Sequence, residues 1–425
     1  MEKKEQVKIK LTTLIILLVI AIIVILTIAI ITLNNNGKQL GKNNNVQIGN
    51  IGQNIQDTDF NLKFLKIENN KKNIIYSPLS IKYALNMLKD GANGNTKVQI
   101  ENILVDTNLV KYNNINDVLS FANGVYIRDT YSNYVKNEYR NILQEKYNAE
   151  IKYDAFKNAD NINSWIENKT FGQIKNMLSD AIVTNPNNEM VLINALAIDM
   201  EWEDEFEGTY THGDTFYLEN GNTINATMMN KDTESENISY YKDKNITALA
   251  MDLKQYEDVN MQFLAIMPNN NLSEYIEKFS SKDLNNITNN LTLASKTKYG
   301  LDISIPRFEF DYNLNLKEVL KNLGMTDAFN EELADFSNMS SKALWVGEAL
   351  HKANINFSEN GIKASAATVI AMTDGAAIYQ GKPVEVKINK PFMYFIIDKN
   401  TGEIWFVGAV YTPNEWEKDK TEYGY

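Results

Sequence analysis

The sequence predicts an α+β domain, and three observations carry the prediction. A capped helix with one apolar face follows Ser77. The stretch Met190 to Met200 is nearly continuously apolar, as suits a strand buried on both faces. Near the C-terminus, Val384 to Ile388, Phe392 to Ile397 and Ile404 to Val410 read as strands. Helices and strand clusters mix without the strict alternation of a parallel α/β sheet.

From the N-terminus, residues 1–10 form a basic cytoplasmic tail with Lys3, Lys4, Lys8 and Lys10. Leu11 to Leu33 is an apolar run interrupted only by threonines. As a helix it would span about 35 Å, against about 30 Å for a hydrocarbon core. A cleaved signal peptide would usually have a shorter apolar core followed by a small-x-small site. The reading is therefore an uncleaved, single-pass anchor in the cell membrane, with the rest of the chain on the extracellular side. Residues 34–54, rich in Asn, Gly and Gln, read as a flexible linker. Residues 55–425 show no comparable break and no internal repeat, and are taken as one domain.

Within that domain Ser77 suits an N-cap and Pro78 the first turn. Ile81, Ala84, Leu85 and Leu88 share a helical face, and Gly91 can close the helix. A second helix is expected from Thr96, where Thr96-Lys97-Val98-Gln99 has the capping-box pattern. The neighbouring glycines lack phosphate-loop spacing and read as turn residues. Asn194, inside the long apolar strand, is a buried amide that must find hydrogen-bond partners. Leu301 to Ile305 alternates and stops at Pro306, and Leu316, Val319, Leu320 and Leu323 form a helical face that stops at Gly324. Asp398 to Gly402 reads as the hairpin turn between the last two strands.

Composition narrows the function. The 425 residues include 42 Lys plus Arg against 54 Asp plus Glu, a net charge of −12. That balance lacks the basic footprint of a nucleic-acid binder. Cysteine is absent, which excludes disulfides, thiolate metal sites and a thiol nucleophile. His212 and His351 are the only histidines, too few for a multi-histidine metal centre. No metal and no cofactor is expected. The run Glu201-Trp202-Glu203-Asp204-Glu205 lacks the spacing of a calcium loop and reads as a solvated turn. His212 reads as an exposed turn residue and His351 as a hydrogen-bonded core residue. The Gly-x-Ser-x-Gly elbow is missing, and nothing supports an enzyme.

One segment does not behave like a loop. Gly361 to Gly381 lies between two strands, yet from Ile362 to Thr373 it contains no Gly, Pro, Asn or Asp. Ile362, Ala364, Ala366, Thr368, Ile370 and Met372 make one face of a period-two pattern, small or apolar throughout. Lys363, Ser365, Ala367, Val369, Ala371 and Thr373 make the other. The segment is either an ordinary edge strand or one that can be exposed loop or inserted strand.

An ordered series of motifs then carries a resemblance. Asn73-Ile-Ile-Tyr-Ser-Pro-Leu-Ser-Ile and Gly91-Ala-Asn-Gly-Asn-Thr come first, followed by Leu192-Ile-Asn-Ala with Trp202 and Phe206. Ile305-Pro-Arg-Phe, Leu323-Gly-Met, Ala334-Asp-Phe-Ser, Val386-Lys-Ile-Asn-Lys-Pro-Phe-Met-Tyr-Phe-Ile and Phe406-Val-Gly complete it. From about Phe60 to Pro413 the chain resembles a serpin. The resemblance implies a monomer with three β-sheets, eight or nine helices and an exposed reactive loop. It also implies suicide inhibition of a serine or cysteine protease: the protease cuts the loop, forms an acyl-enzyme, and is dragged away as the loop inserts into the main sheet. The alternative is a non-inhibitory serpin acting as an extracellular binding or adhesion module.

Carried over residue by residue, Ser77, Ser80, Asn194 and His351 match the family's shutter beneath the main sheet. Glu359-Asn360-Gly361 matches its reactive-loop hinge, with Asn360 in place of the usual second acid. Ile362 stands where inhibitors usually have Thr or Ser, and Ala364, Ala366 and Thr368 continue the hinge. The family's spacing from the hinge glycine puts the scissile bond between Gly375 and Ala376, with Asp374 and Ala377 as the alternatives. No basic residue lies between Lys363 and Lys382, so an elastase- or subtilisin-like protease is expected rather than a trypsin-like one.

Overall fold

The structure, a computed structural model, describes residues 55–104, 109–363 and 381–417. Of two compact units, Met1–Gln47 and Ile48–Tyr425, every described residue belongs to the second. The basic tail, the apolar run Leu11–Leu33 and the linker lie outside the described residues. Among the described residues no helix is long and apolar enough to cross a membrane.

The first elements are α1 (Ile55–Ile67), β1 (Ile74–Tyr76), α2 (Pro78–Gly91), α3 (Gly94–Leu104), β2 (Leu119–Arg128), α4 (Asn137–Tyr147), β3 (Glu150–Asp154), α5 (Asp160–Lys169) and α6 (Asp180–Thr184). There follow β4 (Met190–Ile198), β5 (Met200–Glu201), β6 (His212–Tyr217), β7 (Thr223–Thr233), β8 (Ile238–Lys242), β9 (Ile246–Asp252) and β10 (Met261–Pro268). Next come α7 (Leu272–Lys278), α8 (Ser281–Asn289), β11 (Thr292–Leu293), β12 (Leu301–Pro306), β13 (Phe308–Leu314) and α9 (Leu316–Asn322). The last are β14 (His351–Phe357), β15 (Gly361–Ile362), β16 (Val384–Lys387), β17 (Phe392–Asp398) and β18 (Ile404–Val410). This is the expected α+β class, with nine α-helices among the described residues.

The helix after Ser77 forms as its sequence dictates. Ser77 Oγ accepts from the Ser80 amide at 3.1 Å, and Pro78 opens the first turn, where its missing N–H leaves no bond unmade. The second helix starts at Gly94, two residues before the expected Thr96. Thr96 is buried, and its hydroxyl accepts from the Asp335 amide at 2.9 Å instead of capping its own helix. His212 is exposed as expected, but it opens strand β6 opposite Met228 rather than lying in a turn.

Three layers of sheet result. A seven-stranded sheet runs β1-β18-β17-β10-β9-β8-β11, antiparallel throughout. Every residue of β10, β17 and β18 is buried, which is why these strands are almost wholly apolar, with Gln262 and Asp398 the amide and charged exceptions. A four-stranded sheet runs β16-β12-β7-β6. The main sheet comes as two halves, β3-β2-β4 and β13-β14-β15-β5. β4 and β5 are separated along the chain only by Asp199, so the halves join at that end. One large core contains Leu196, Ile198, Ile355 and Phe357 of the main sheet together with Phe263, Phe395 and Phe406 of the seven-stranded sheet. A smaller core lies on the other face of the main sheet, where Ile162, Trp165 and Ile166 of α5 meet Ala122, Ile193 and Ala195.

Candidate functional site: the split main sheet and its hinge

β4 pairs only with β2 along Met190–Ile198, and β14 pairs with β13 along its whole length. Between β4 and β14 the only pairing among the described residues is at one end, through the two residues of β15. Ile362 lies opposite Phe357 on β14 and Met200 on β5, antiparallel to both. Its side chain is 3% exposed and lines a small cleft with Ile75, Ile198, Ile355, Ile396 and Phe406. The bulk of an isoleucine in place of Thr or Ser is therefore absorbed by core. Gly361 is required by close approach, since a Cβ there would lie 2.1 Å from the Met200 carbonyl oxygen.

The turn before β15 is held from several sides. Glu359 Oε1 accepts from Arg307 Nη2 at 2.5 Å and from Thr211 Oγ1 at 2.8 Å. Trp202 Nε1 donates to the Ser358 carbonyl at 2.8 Å, and the amides of Trp202 and Phe206 donate to the carbonyls of Asn360 and Glu359. Asn360 Nδ2 donates to Glu205 Oε2 at 3.1 Å, which explains the departure at this position. A second acid there would set a like charge against Glu205. The acidic run is the expected surface turn only in part: Glu203 to Glu205 fit it, but Glu201 belongs to β5 opposite Gly361 and Trp202 is buried. Glu205 nevertheless belongs to the hinge.

The described pairing ends at Ile362. Lys363 takes φ +47°, a left-handed conformation uncommon outside glycine. Its amide donates to the Asn356 carbonyl at 2.7 Å and its Nζ to the Phe171 carbonyl at 2.6 Å, in the turn after α5. Partial burial lowers the Lys363 pKa from its ordinary value.

The four shutter residues do meet, at the N-terminus of α2 under the gap. The Ser77 amide donates to His351 Nε2 at 3.0 Å, tying α2 to β14. Ser80 Oγ donates to the Asn194 main-chain carbonyl at 3.3 Å, tying α2 to β4. The Asn194 side chain goes elsewhere, donating to Asn123 Oδ1 on β2, and Asn123 Nδ2 donates to the Tyr147 carbonyl. Asn123 was not visible as a site residue in sequence, because its role depends on a cross-strand pairing between distant segments. Asn194 Oδ1 is buried with no hydrogen-bond donor among the described residues.

Because His351 Nε2 accepts a hydrogen bond, the ring is neutral with its proton on Nδ1. Burial holds its pKa down to about 4. The unfolded chain takes up a proton near pH 6.5 and the folded chain does not, so stability falls as pH drops from about 6.5 to 4, by about 3 kcal/mol. Urea unfolding at pH 7 and pH 4.5 should show this loss. His351→Gln, which keeps an acceptor but does not titrate, should lose less on acidification than the parent chain.

Beyond the shutter lies an apolar cleft of about 120 Å³. Met190 and Leu192 of β4, Gly347 and Ala349 of the segment that leads into β14, and Leu85, Leu88, Leu320 and Phe336 line it. Ala364, Ala366, Thr368 and the residues proposed for the scissile bond, Asp374, Gly375, Ala376 and Ala377, lie outside the described residues.

Comparison with known proteins agrees with this arrangement. The family Serpin (serine protease inhibitor) matches residues 56–413. An uncharacterized serpin-like protein of Thermococcus kodakarensis is 29% identical over 374 residues, 83% of each chain. Serpin B4 of Homo sapiens is 29% identical over 81% of this chain and 94% of its own. Among solved structures, the thermophilic serpin tengpin in its native state superposes with TM-score 0.71 at 30% identity, over 84% of this chain and 93% of that one. Human thyroxine-binding globulin complexed with thyroxine gives TM-score 0.71 at 26% identity, over 87% of this chain and all of its own. With a split main sheet, a hinge lodged in the gap and a family match across most of its length, this chain belongs to the serpin family.

Proposed function

We propose that the chain is a surface-anchored suicide-substrate inhibitor of serine or cysteine proteases, trapping the acyl-enzyme by insertion of residues 363–373 between β4 and β14. The observation that carries the reading is the register of β15. Continued antiparallel from Ile362, it sets Ala364 against Ile355 and Ile198, Ala366 against Ala353 and Leu196, and Thr368 against His351 and Asn194. Ile370 would then meet Ala349 and Leu192, and Met372 would meet Gly347 and Met190, four residues that line the apolar cleft.

The facing is right as well as the register. His351, Ala353, Ile355 and Phe357 are the buried residues of an alternating β14, and the even-numbered loop residues share their side of the sheet. Ala364, Ala366, Ile370 and Met372 would therefore enter the large core, and the Thr368 hydroxyl would reach the orphaned Asn194 Oδ1. Ser365, Ala367 and Val369 would face α5. With β4 starting at Met190, a strand through Met372 reaches the far end of the sheet, which supports Gly375–Ala376 as the scissile bond just beyond it.

The anchor reading rests on Leu11–Leu33 and its basic flank, and places the inhibitor outside the cell membrane. Incubation of the purified chain with an elastase- or subtilisin-like protease should give an SDS-stable complex. The peptide released from it should begin at Ala376, or within one residue of it. A chain cleaved without forming a complex with any protease of the panel is a binding module instead. Tight inhibition of trypsin would refute the assignment of the bond.

A further inference from the structure

The family match ends at Pro413, but the ordered chain continues across the molecule for several residues. Asn414, Glu415 and Trp416 lie between β7 and the junction of β12 with β13. The Trp416 amide donates to the Asn225 carbonyl at 2.8 Å, and the Thr227 amide to the Asn414 carbonyl at 2.9 Å. Thr227 Oγ1 donates to the Glu415 carbonyl at 3.0 Å. The Trp416 ring lies over Gly213 on β6, where a Cβ would come within 2.7 Å of it. Asn414 closes the other side: its Oδ1 accepts from the Glu309 amide at 2.8 Å, and its own amide donates to the Arg307 carbonyl at 3.1 Å.

Arg307 is the residue that matters. Its amide donates to the Thr227 carbonyl at 2.9 Å and its carbonyl is taken by Asn414, so its main chain is clamped between β7 and the C-terminal segment. Its guanidinium reaches Glu359, the carboxylate of the hinge turn, whose side chain is only 9% exposed. The chain of contacts thus runs from Trp416 through Asn414 and Arg307 to Glu359, three residues before Ile362.

We propose that Pro413–Trp416 is a strap that positions Arg307 and, through Glu359, keeps Gly361–Ile362 seated in the main sheet. Asn414 and Trp416 are positioning residues in this scheme, acting on the hinge at second hand. The inference rests on the proposed inhibitory reading only in its consequence: a seated hinge is the nucleus from which insertion propagates, so the strap would raise the fraction of encounters that end in a trapped protease.

Two forms of the full chain test it, one ending after Pro413 and one carrying Trp416→Ala, which stands in if the truncated chain does not fold. Hydrogen exchange of the amides of residues 358–363 in the intact protein should speed up about tenfold in both, as expected for weakening a charge-assisted hydrogen bond. Exchange in β10 should not change. Arg307→Ala should give the same acceleration, and removing the strap in that background should add little. With a protease that the parent chain traps, strap variants should yield more cleaved chain per complex. Faster exchange in β6 and β7 with an unchanged hinge would overturn the proposal, because the strap would then merely cover a sheet. If the parent chain traps no protease while the hinge still responds, the inhibitory reading fails and the strap stands.

Discussion

Cutting the reactive loop with a catalytic amount of protease is expected to raise the melting temperature by about 15–25 °C. The estimate rests on β4 and β14, two strand edges that share no neighbour among the described residues beyond Met200 and Phe357. Pairing both with about ten inserted residues adds up to about twenty ladder hydrogen bonds at about 1 kcal/mol net each, as an upper figure. For a domain of this size each kcal/mol moves the midpoint by about 1.3 °C. Two local terms act in the same direction. Lys363 would leave its left-handed conformation for an extended one, and Ile370 and Met372 would enter an apolar cleft that no described side chain fills. The intact fold is then held by a barrier rather than by being the most stable arrangement. Thermal denaturation of intact and nicked protein in the same buffer decides the matter, and equal midpoints would end the inhibitory reading.

The parts of this site that were legible in sequence are those written in local patterns. The alternation beginning at Ile362 showed a segment able to form a strand, and Ile362 indeed sits in the sheet with its side chain in the core. The apolar run at Met190 and the capped helix at Ser77 were legible for the same reason, since burial on both faces and an N-cap each leave a fixed residue signature. Asn194 and His351 stood out as polar residues in apolar surroundings, but only the serpin resemblance joined them, and only coordinates show that the Asn194 side chain binds Asn123 while its carbonyl takes the bond from the helix. Thr211 had no local mark, and Arg307 and Glu205 were visible only as members of a motif and of an acidic run, not as partners of the hinge. Each serves the hinge from a segment remote in sequence, and such contacts leave no periodicity to read. The same holds for the C-terminal strap, whose contacts are mostly to main-chain groups and so place little demand on residue type.

These contacts also explain how a hinge that departs from the family pattern at two positions can keep its geometry. Asn360 exchanges repulsion from Glu205 for a hydrogen bond, while Glu359 keeps its arginine. Ile362 gives up a small polar side chain for one that fills the cleft beneath it. The first substitution acts on the turn and the second on the strand, so together they favour the hinge that is already seated rather than one that swings free.

Replacing Ile362 by arginine should therefore have the largest effect of any single substitution in the loop. At 3% exposure beside Ile75, Ile198, Ile355, Ile396 and Phe406, the site offers a guanidinium no carboxylate among the described residues, and Lys363 next to it carries a like charge. Burying that charge unpaired costs several kcal/mol even after relaxation, so the variant hinge should leave the sheet instead. The intact protein should still fold, since only a two-residue strand is given up and both cores remain. Insertion, however, would have to start without its nucleus, and every kcal/mol added to that first step slows it about fivefold. Deacylation by the protease is unaffected and now wins. Gels of Ile362→Arg with the trapped protease should show almost only cleaved chain, whereas Ile362→Thr should still form complex. If the arginine variant traps protease as well as the parent chain does, the seated hinge is not where insertion begins.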